Sequence, residues 1–202
     1  MRLFILGATG GTGAQLTRQA LERGHAITAF VRSPDKMQTR HEKLVVASGD
    51  PRDADQLREA LRGHDAVLSA LGATGTAAEG ILETAARSTV QAMRQSGVPR
   101  LVVVSMALLF PDVGLLGPIL RFFLRRQLRD SAAMERVVAA SDLDWTVVRP
   151  PRLTNGQPTG RYRVSEQQAP PGFSIPRADL ALAILDLIET PAYIKKVIGV
   201  SR

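Results

Sequence analysis

The 202-residue sequence contains no cysteine, which excludes a disulfide framework and any thiolate metal site. Its three histidines, His25, His41 and His64, are too few and too scattered for a metal cluster, and no metal is expected. Aromatic residues amount to 4%, too sparse for the stacking platforms that grip single-stranded nucleic acid. Lysine is scarce too: Lys36, Lys43, Lys195 and Lys196 are the only four among 26 basic side chains, the other 22 being arginine. No apolar stretch approaches the roughly 18 residues that span a bilayer. The opening run Leu3–Leu6 is also too short for the apolar core of a signal peptide. A soluble, cytoplasmic protein is expected.

What is present resembles an ordinary globular composition, with 45% apolar and 22% charged residues. The net charge of +7 comes from arginines spread through helix-like segments, as at Arg58, Arg87 and Arg94, and reads as a solvated surface; no nucleic-acid partner is expected. The length suits one domain, residues 1–202. Almost continuously apolar runs mark strands at Leu3–Leu6, Ala26–Val31, Leu44–Ala47, Ala66–Ala70, Leu101–Val104 and Trp145–Arg149, as in a parallel sheet covered on both faces. Helical patterns lie between them at Gly11–Arg23, Ala54–Arg62, Ala78–Ser96 and Ser131–Ala140. Asp53 is a plausible cap for the second, and Gly97-Val98-Pro99 a stop for the third. This alternation predicts an α/β fold, a doubly wound, mostly parallel Rossmann sheet with helices on both faces. Residues 1–150 form its dinucleotide-binding core. Beyond Pro150-Pro151, proline, glycine and polar residues dominate to Pro176, broken by a strand-like Arg161–Val164, before a helix at Ala178–Glu189 and a strand at Lys196–Val200. Residues 151–202 are expected to form a small cap over the ligand end of the sheet.

Gly7-Ala8-Thr9-Gly10-Gly11-Thr12-Gly13 stands between the first strand and the first helix. A diphosphate needs bare backbone N–H groups and the positive end of a helix dipole. Gly10 and Gly11 let the backbone approach it, and Gly13 lets the helix pack on the strand. The spacing, G-x-x-G-x-x-G, is one residue longer than G-x-G-x-x-G, and its place in the chain points to a dinucleotide. An acidic residue at the end of the second strand would hold the ribose 2′-hydroxyl of NAD; here Val31-Arg32-Ser33 stands there, with Lys36 close behind. Arginine suits a 2′-phosphate, so NADPH/NADP is the expected cofactor, with NADH accepted more weakly. Ser48-Gly49-Asp50 is expected near the adenine, and Leu71-Gly72 on the ligand rim after the fourth strand.

Reducing a simple ketone builds charge on oxygen and calls for a poised acid. The tyrosine–lysine pair of short-chain dehydrogenases, four residues apart, is missing: Glu166 follows Tyr162 at that spacing, Val197 follows Tyr193, and no Tyr, Lys or His lies between Ser105 and Trp145. What remains at the carboxyl end of the fifth strand is Ser105, which orients a ligand better than it donates a proton. Its alternative is a strand-end serine bonded to backbone. A conjugated acceptor such as flavin, quinone or linear tetrapyrrole delocalises the incoming charge and takes its proton from solvent, leaving catalysis to proximity and orientation.

The glycine loop, Val31-Arg32, Ser48-Gly49-Asp50, Ser105 with Ala107-Leu108-Leu109, and the stretch Val147–Thr159 together resemble the atypical short-chain dehydrogenases of the NmrA-like, NAD(P)H-binding type, most closely the biliverdin-IXβ/flavin reductases among them. The likeness covers nearly the whole chain, including the proline pair followed by Thr159-Gly160-Arg161-Tyr162. It implies NADPH across the strand ends and an open, shallow acceptor site over the nicotinamide. It further implies Thr9, Gly10, Gly11 and Thr12 at the pyrophosphate, Arg32 at the 2′-phosphate, Pro150, Pro151 and Leu153 bordering the nicotinamide, and Ser105 nearest the chemistry. Two positions depart: Arg152 and Ser131 stand where those reductases tend to have histidine.

Phe110, Arg125 and Arg152 are candidate acceptor-pocket residues. Between Ala107 and Asp130, Pro118 can open a helix in which Leu120, Phe123, Leu124, Gln127 and Leu128 share one side while Arg121, Arg125 and Arg129 form a stripe. The apolar side is expected to cover the acceptor pocket. A homodimer contact is the second reading, and attachment to a membrane surface through a basic amphipathic helix the third. Two functions from different classes follow: an NADPH-dependent reductase of a conjugated acceptor, and a non-catalytic NADP(H)-sensing regulator. An epimerase or isomerase holding NADP is a third, weakened by the missing acid–base pair.

Overall fold

The computed structural model describes residues 1–72, 80–112, 114 and 117–202. The sheet is assembled from β1 (Arg2–Leu6), β2 (Ala26–Val31), β3 (Leu44–Ser48), β4 (Ala66–Ser69), β5 (Arg100–Val104), β6 (Asp144–Arg149), β8 (Arg163–Glu166) and β10 (Lys196–Ser201). Their order is β3-β2-β1-β4-β5-β6-β10-β8. Every neighbouring pair is parallel except β8, which runs antiparallel to β10 at the edge. A separate parallel pair joins β7 (Arg152–Thr154) to β9 (Ser174–Pro176).

Period-two alternation within β1 shows how the sheet is covered. Leu3 and Ile5 enter the core shared with α1 (Gly11–Glu22) and α6 (Arg177–Glu189). Phe4 and Leu6 enter the core on the opposite face, with α2 (Ala54–Leu61), α3 (Ile81–Ser96) and α5 (Arg125–Ala139). All four side chains are at most 1% exposed, and each such burial stabilises the fold by about 1.5–3 kcal/mol. The sheet is therefore the doubly wound Rossmann arrangement, and the order reverses beside β1, which is flanked by β2 and β4. In such sheets ligands gather at the carboxyl ends of the strands at that reversal.

Local signals account for the helix ends. The Asp53 carboxylate accepts from the backbone N–H of Asp55 and Gln56, both at 3.0 Å, capping α2. The amino end of α3 is capped from afar, by Asp130 of α5, which accepts from the N–H of Leu82 and Glu83. Ala78 and Glu79, where the third helix was expected to begin, lie outside the described residues; the described helix starts at Ile81.

Three expectations are corrected. Residues 151–202 are not only a cap, because β10 lies inside the main sheet and α6 packs along α1. The strand expected at Arg161–Val164 lies at Arg163–Glu166, in register with β10. The arginine-rich segment is not one helix covering a pocket. It breaks at Leu124 into α4 (Gly117–Phe123) and α5, and Leu120 and Phe123 are 45% and 72% exposed. Arg121 turns inward instead and donates to the backbone carbonyls of Leu108, Phe110 and Pro111. Among the described residues the guanidinium is the one partner these three carbonyls have, which accounts for its inward turn.

Candidate active site

Steric facts dictate the glycine loop. Gly7 has a positive φ of 79°, and a Cβ there would meet the Ala70 carbonyl oxygen at 2.8 Å, so glycine brings this turn against Leu71-Gly72. A Cβ on Gly13 would stand 2.1 Å from the Gly7 carbonyl oxygen, so only hydrogen permits α1 to leave the strand at this angle. Gly10 takes the N-cap position of α1 and offers no side-chain acceptor, and no acidic residue occupies the first turn. The helix thus begins with uncapped N–H groups and an unneutralised positive dipole end. Thr12 is 7% exposed beneath this surface, whereas Thr9, Gly10 and Gly11 lie on it. A bare, positively polarised cradle of this kind fits the diphosphate of a dinucleotide.

At the end of β2, Arg32 is exposed and makes no hydrogen bond or ion pair among the described residues. Asp50 is brought next to it by a tight turn: Gly49 N–H donates to the Val31 carbonyl at 3.0 Å, and a Cβ on Gly49 would meet the Phe30 ring at 2.2 Å. The Asp50 carboxylate is gripped by the Arg52 guanidinium (Nη2–Oδ2 2.6 Å), and this hydrogen bond is the main reason its pKa lies below the ordinary carboxylate range. Asp50 is thereby neutralised by Arg52, which leaves the Arg32 charge open to a ligand.

On the far side of the reversal, the segment after β5 is laced to the end of β6. Ser105 N–H donates to the Val148 carbonyl at 2.7 Å, and Ala107 N–H to the Pro150 carbonyl at 2.8 Å. Ser105 and the proline pair therefore share one rim. The Ser105 hydroxyl is shielded from solvent and has no hydrogen-bond partner among the described residues. That argues against the reading of a strand-end serine bonded to backbone, since buried hydroxyls are normally satisfied. Beneath the rim, Arg149 and Glu135 form a bidentate pair (Nε–Oε1 2.9 Å, Nη2–Oε2 2.5 Å), and the guanidinium lies 4.7 Å from the centre of the Phe110 ring. Sequence reading missed this pair, because nothing in the spacing of Glu135 and Arg149 links them.

The acceptor-pocket candidates do not converge. Phe110 is 1% exposed and serves as packing under Arg149, so it cannot line an open pocket; this corrects the expectation. Arg125 is exposed and leans over the Phe122 ring, with its guanidinium 5.3 Å from the centroid. Arg152 is exposed on β7, and Leu153 packs against the α1/α6 core. Pro150 is buried and Pro151 half-buried. The tyrosines stand apart from the rim. Tyr162 donates its hydroxyl to Asp186 on α6, and burial together with that bond pushes its pKa well up. Tyr193 lies in the turn before β10, where its backbone carbonyl accepts from Thr146.

Among the described residues no helix is long and apolar enough to cross a membrane. The profile of a family described as NAD(P)H-binding matches residues 7–191. YwnB of Bacillus subtilis (strain 168) is 26% identical over 207 residues, covering 96% of this chain and 94% of its own. Among solved structures, ChuY, an anaerobillin reductase from Escherichia coli O157:H7, superposes with a TM-score of 0.85 at 23% identity, covering 100% of this chain and 97% of its own. A short-chain dehydrogenase/reductase of Veillonella parvula solved with NADP gives a TM-score of 0.86 at 21% identity, covering 100% and 94%. At these identities the two structures speak for the fold. The match of the family profile over most of its length shows more: the chain belongs to the NAD(P)H-binding family.

Proposed function

We propose that the protein is an NADPH-dependent reductase of a conjugated acceptor such as a flavin, a quinone or a linear tetrapyrrole. The observation that carries this reading is the pairing of an intact dinucleotide cradle with a rim that, among the described residues, holds no tyrosine, lysine or histidine side chain. Bound nicotinamide supplies a hydride. The chain's own part is to hold and orient. Uncapped amides at the start of α1 take the diphosphate, Arg32 takes the 2′-phosphate, and Asp50, Leu71 and Gly72 border the adenosine side. Pro150 and Pro151 form a stiff edge beside the nicotinamide, and the unpartnered Ser105 hydroxyl orients whatever lies against it.

Two facts support a conjugated acceptor over a simple carbonyl. Tyr162 is committed to Asp186, and burial together with that bond keeps it protonated, away from the rim. Ser105 is a poor acid at neutral pH. An acceptor that spreads charge over a π-system needs neither, only alignment with the donor. The anaerobillin reductase activity named for ChuY is consistent with this class.

The test follows NADPH oxidation at 340 nm with FMN, a quinone and biliverdin offered in turn. Reduction of at least one well above the enzyme-free rate is expected. Tight NADPH binding with no reaction would replace the reductase by a non-catalytic NADP(H) sensor.

A further inference from the structure

Arg177 is the first residue of α6, and its side chain lies across the start of α1. A Cβ on Gly11 would stand 2.8 Å from its Cδ and Nε and 3.6 Å from its guanidinium carbon. The arginine fills the space that a side chain at the second glycine would take. One guanidinium nitrogen donates to Asn155 Oδ1 at 2.7 Å. The remaining donors have no acceptor among the described residues, and no carboxylate pairs with this half-buried cation there. Nearby Asp179 is 1% exposed and already saturated, accepting from the Thr159 and Gly160 backbone and the Thr159 hydroxyl. Arg18, on the same groove of about 400 Å³, is taken by Glu22 and Gln15.

An uncountered guanidinium has therefore been brought against the positive end of a helix that itself lacks a cap. Two positive features meeting without an anion are unfavourable alone and favourable around one. The geometry points to Arg177 as a ligand of the dinucleotide's diphosphate, closing over the glycine loop from α6 while Asn155 aims it. This role rests on the cofactor reading above and extends it. Because it concerns the diphosphate and not the 2′-phosphate, Arg177 must serve NADPH and NADH alike, in contrast to Arg32.

Calorimetry on the wild type, Arg177→Gln and Arg177→Lys, with NADPH, NADH and 2′-AMP as separate ligands, tests it. Arg177→Gln is expected to weaken both dinucleotides by about tenfold to a hundredfold. It should leave 2′-AMP, which has no diphosphate, within twofold. Arg177→Lys, keeping charge and stem, should retain most of the dinucleotide affinity. Unchanged dinucleotide binding in Arg177→Gln overturns the assignment and leaves the cofactor reading intact. A loss of 2′-AMP equal to that of NADPH, or a Lys variant as weak as Gln, overturns it in favour of a packing role. A wild type that takes up neither dinucleotide removes the cofactor reading and this one with it.

Discussion

The two halves of the crevice are built by different means. On the α1 side, between β1 and β2, the proposed recognition is made of backbone: Gly7, Gly10 and Gly13 set the chain's path, and the uncapped helix start is the part proposed to bind. On the β5–β6 side the proposed rim is made of side chains, Ser105 and the proline pair, with Arg149 and Glu135 paired beneath them and hydrogen bonds crossing between elements. A backbone cradle tolerates almost no substitution at its glycines yet accepts any ligand with a diphosphate. A rim of side chains can be altered residue by residue, and under the proposed function is where the acceptor would be chosen.

That contrast can be broken most severely from below the rim. Glu135→Ala leaves Arg149 buried without its partner and should cost about 3–5 kcal/mol, read as a lowered midpoint in denaturant unfolding. A variant as stable as the wild type would mean that Arg149 reaches water, contrary to its 16% side-chain exposure. Gly13→Ala should come next, at about 3 kcal/mol, because the clash is with backbone that has no room to move. It should also abolish dinucleotide binding in whatever protein folds. Retained NADPH affinity in that variant would show that the cradle is looser than described.

Arg32→Ala separates the cofactors. NADPH affinity should fall about tenfold to a hundredfold while NADH affinity changes less than twofold. Equal losses would refute the 2′-phosphate role. Ser105→Ala is expected to slow turnover several-fold with cofactor affinity intact, and unchanged turnover would reduce that residue to scaffold. Smallest of all should be Tyr162→Phe, which gives up one hydrogen bond worth about 1 kcal/mol of stability and leaves turnover unaltered. A large loss of activity there would restore a tyrosine acid to the chemistry.

The same division decides how much could be read from sequence. The glycine loop, most of the strands and the place of Arg32 were legible because backbone constraints leave local signatures: a glycine string after an apolar run, a basic residue at a strand end. Asp53 announced its cap in the same way. Arg177 was not legible, since its meeting with Gly11 is produced by α6 packing on α1, far along the chain, and nothing local to Ser-Ile-Pro-Arg marks it. Arg121 failed for a related reason. Its four-residue spacing with Arg125 and Arg129 predicted a stripe along one helix, but the break at Leu124 and the carbonyls of Leu108, Phe110 and Pro111 turned it inward. Phe110 was a candidate for the acceptor pocket, and proved to be packing because Arg149 covers its ring.

Every proposed role above depends on a diphosphate held by bare amides where β1 turns into α1. Titration of the wild-type protein with NADPH and then NADH in a calorimeter tests it without any acceptor present. One site that takes up both nucleotides is expected, NADPH at least tenfold more tightly. An absence of binding heat for either, across several temperatures, would contradict it.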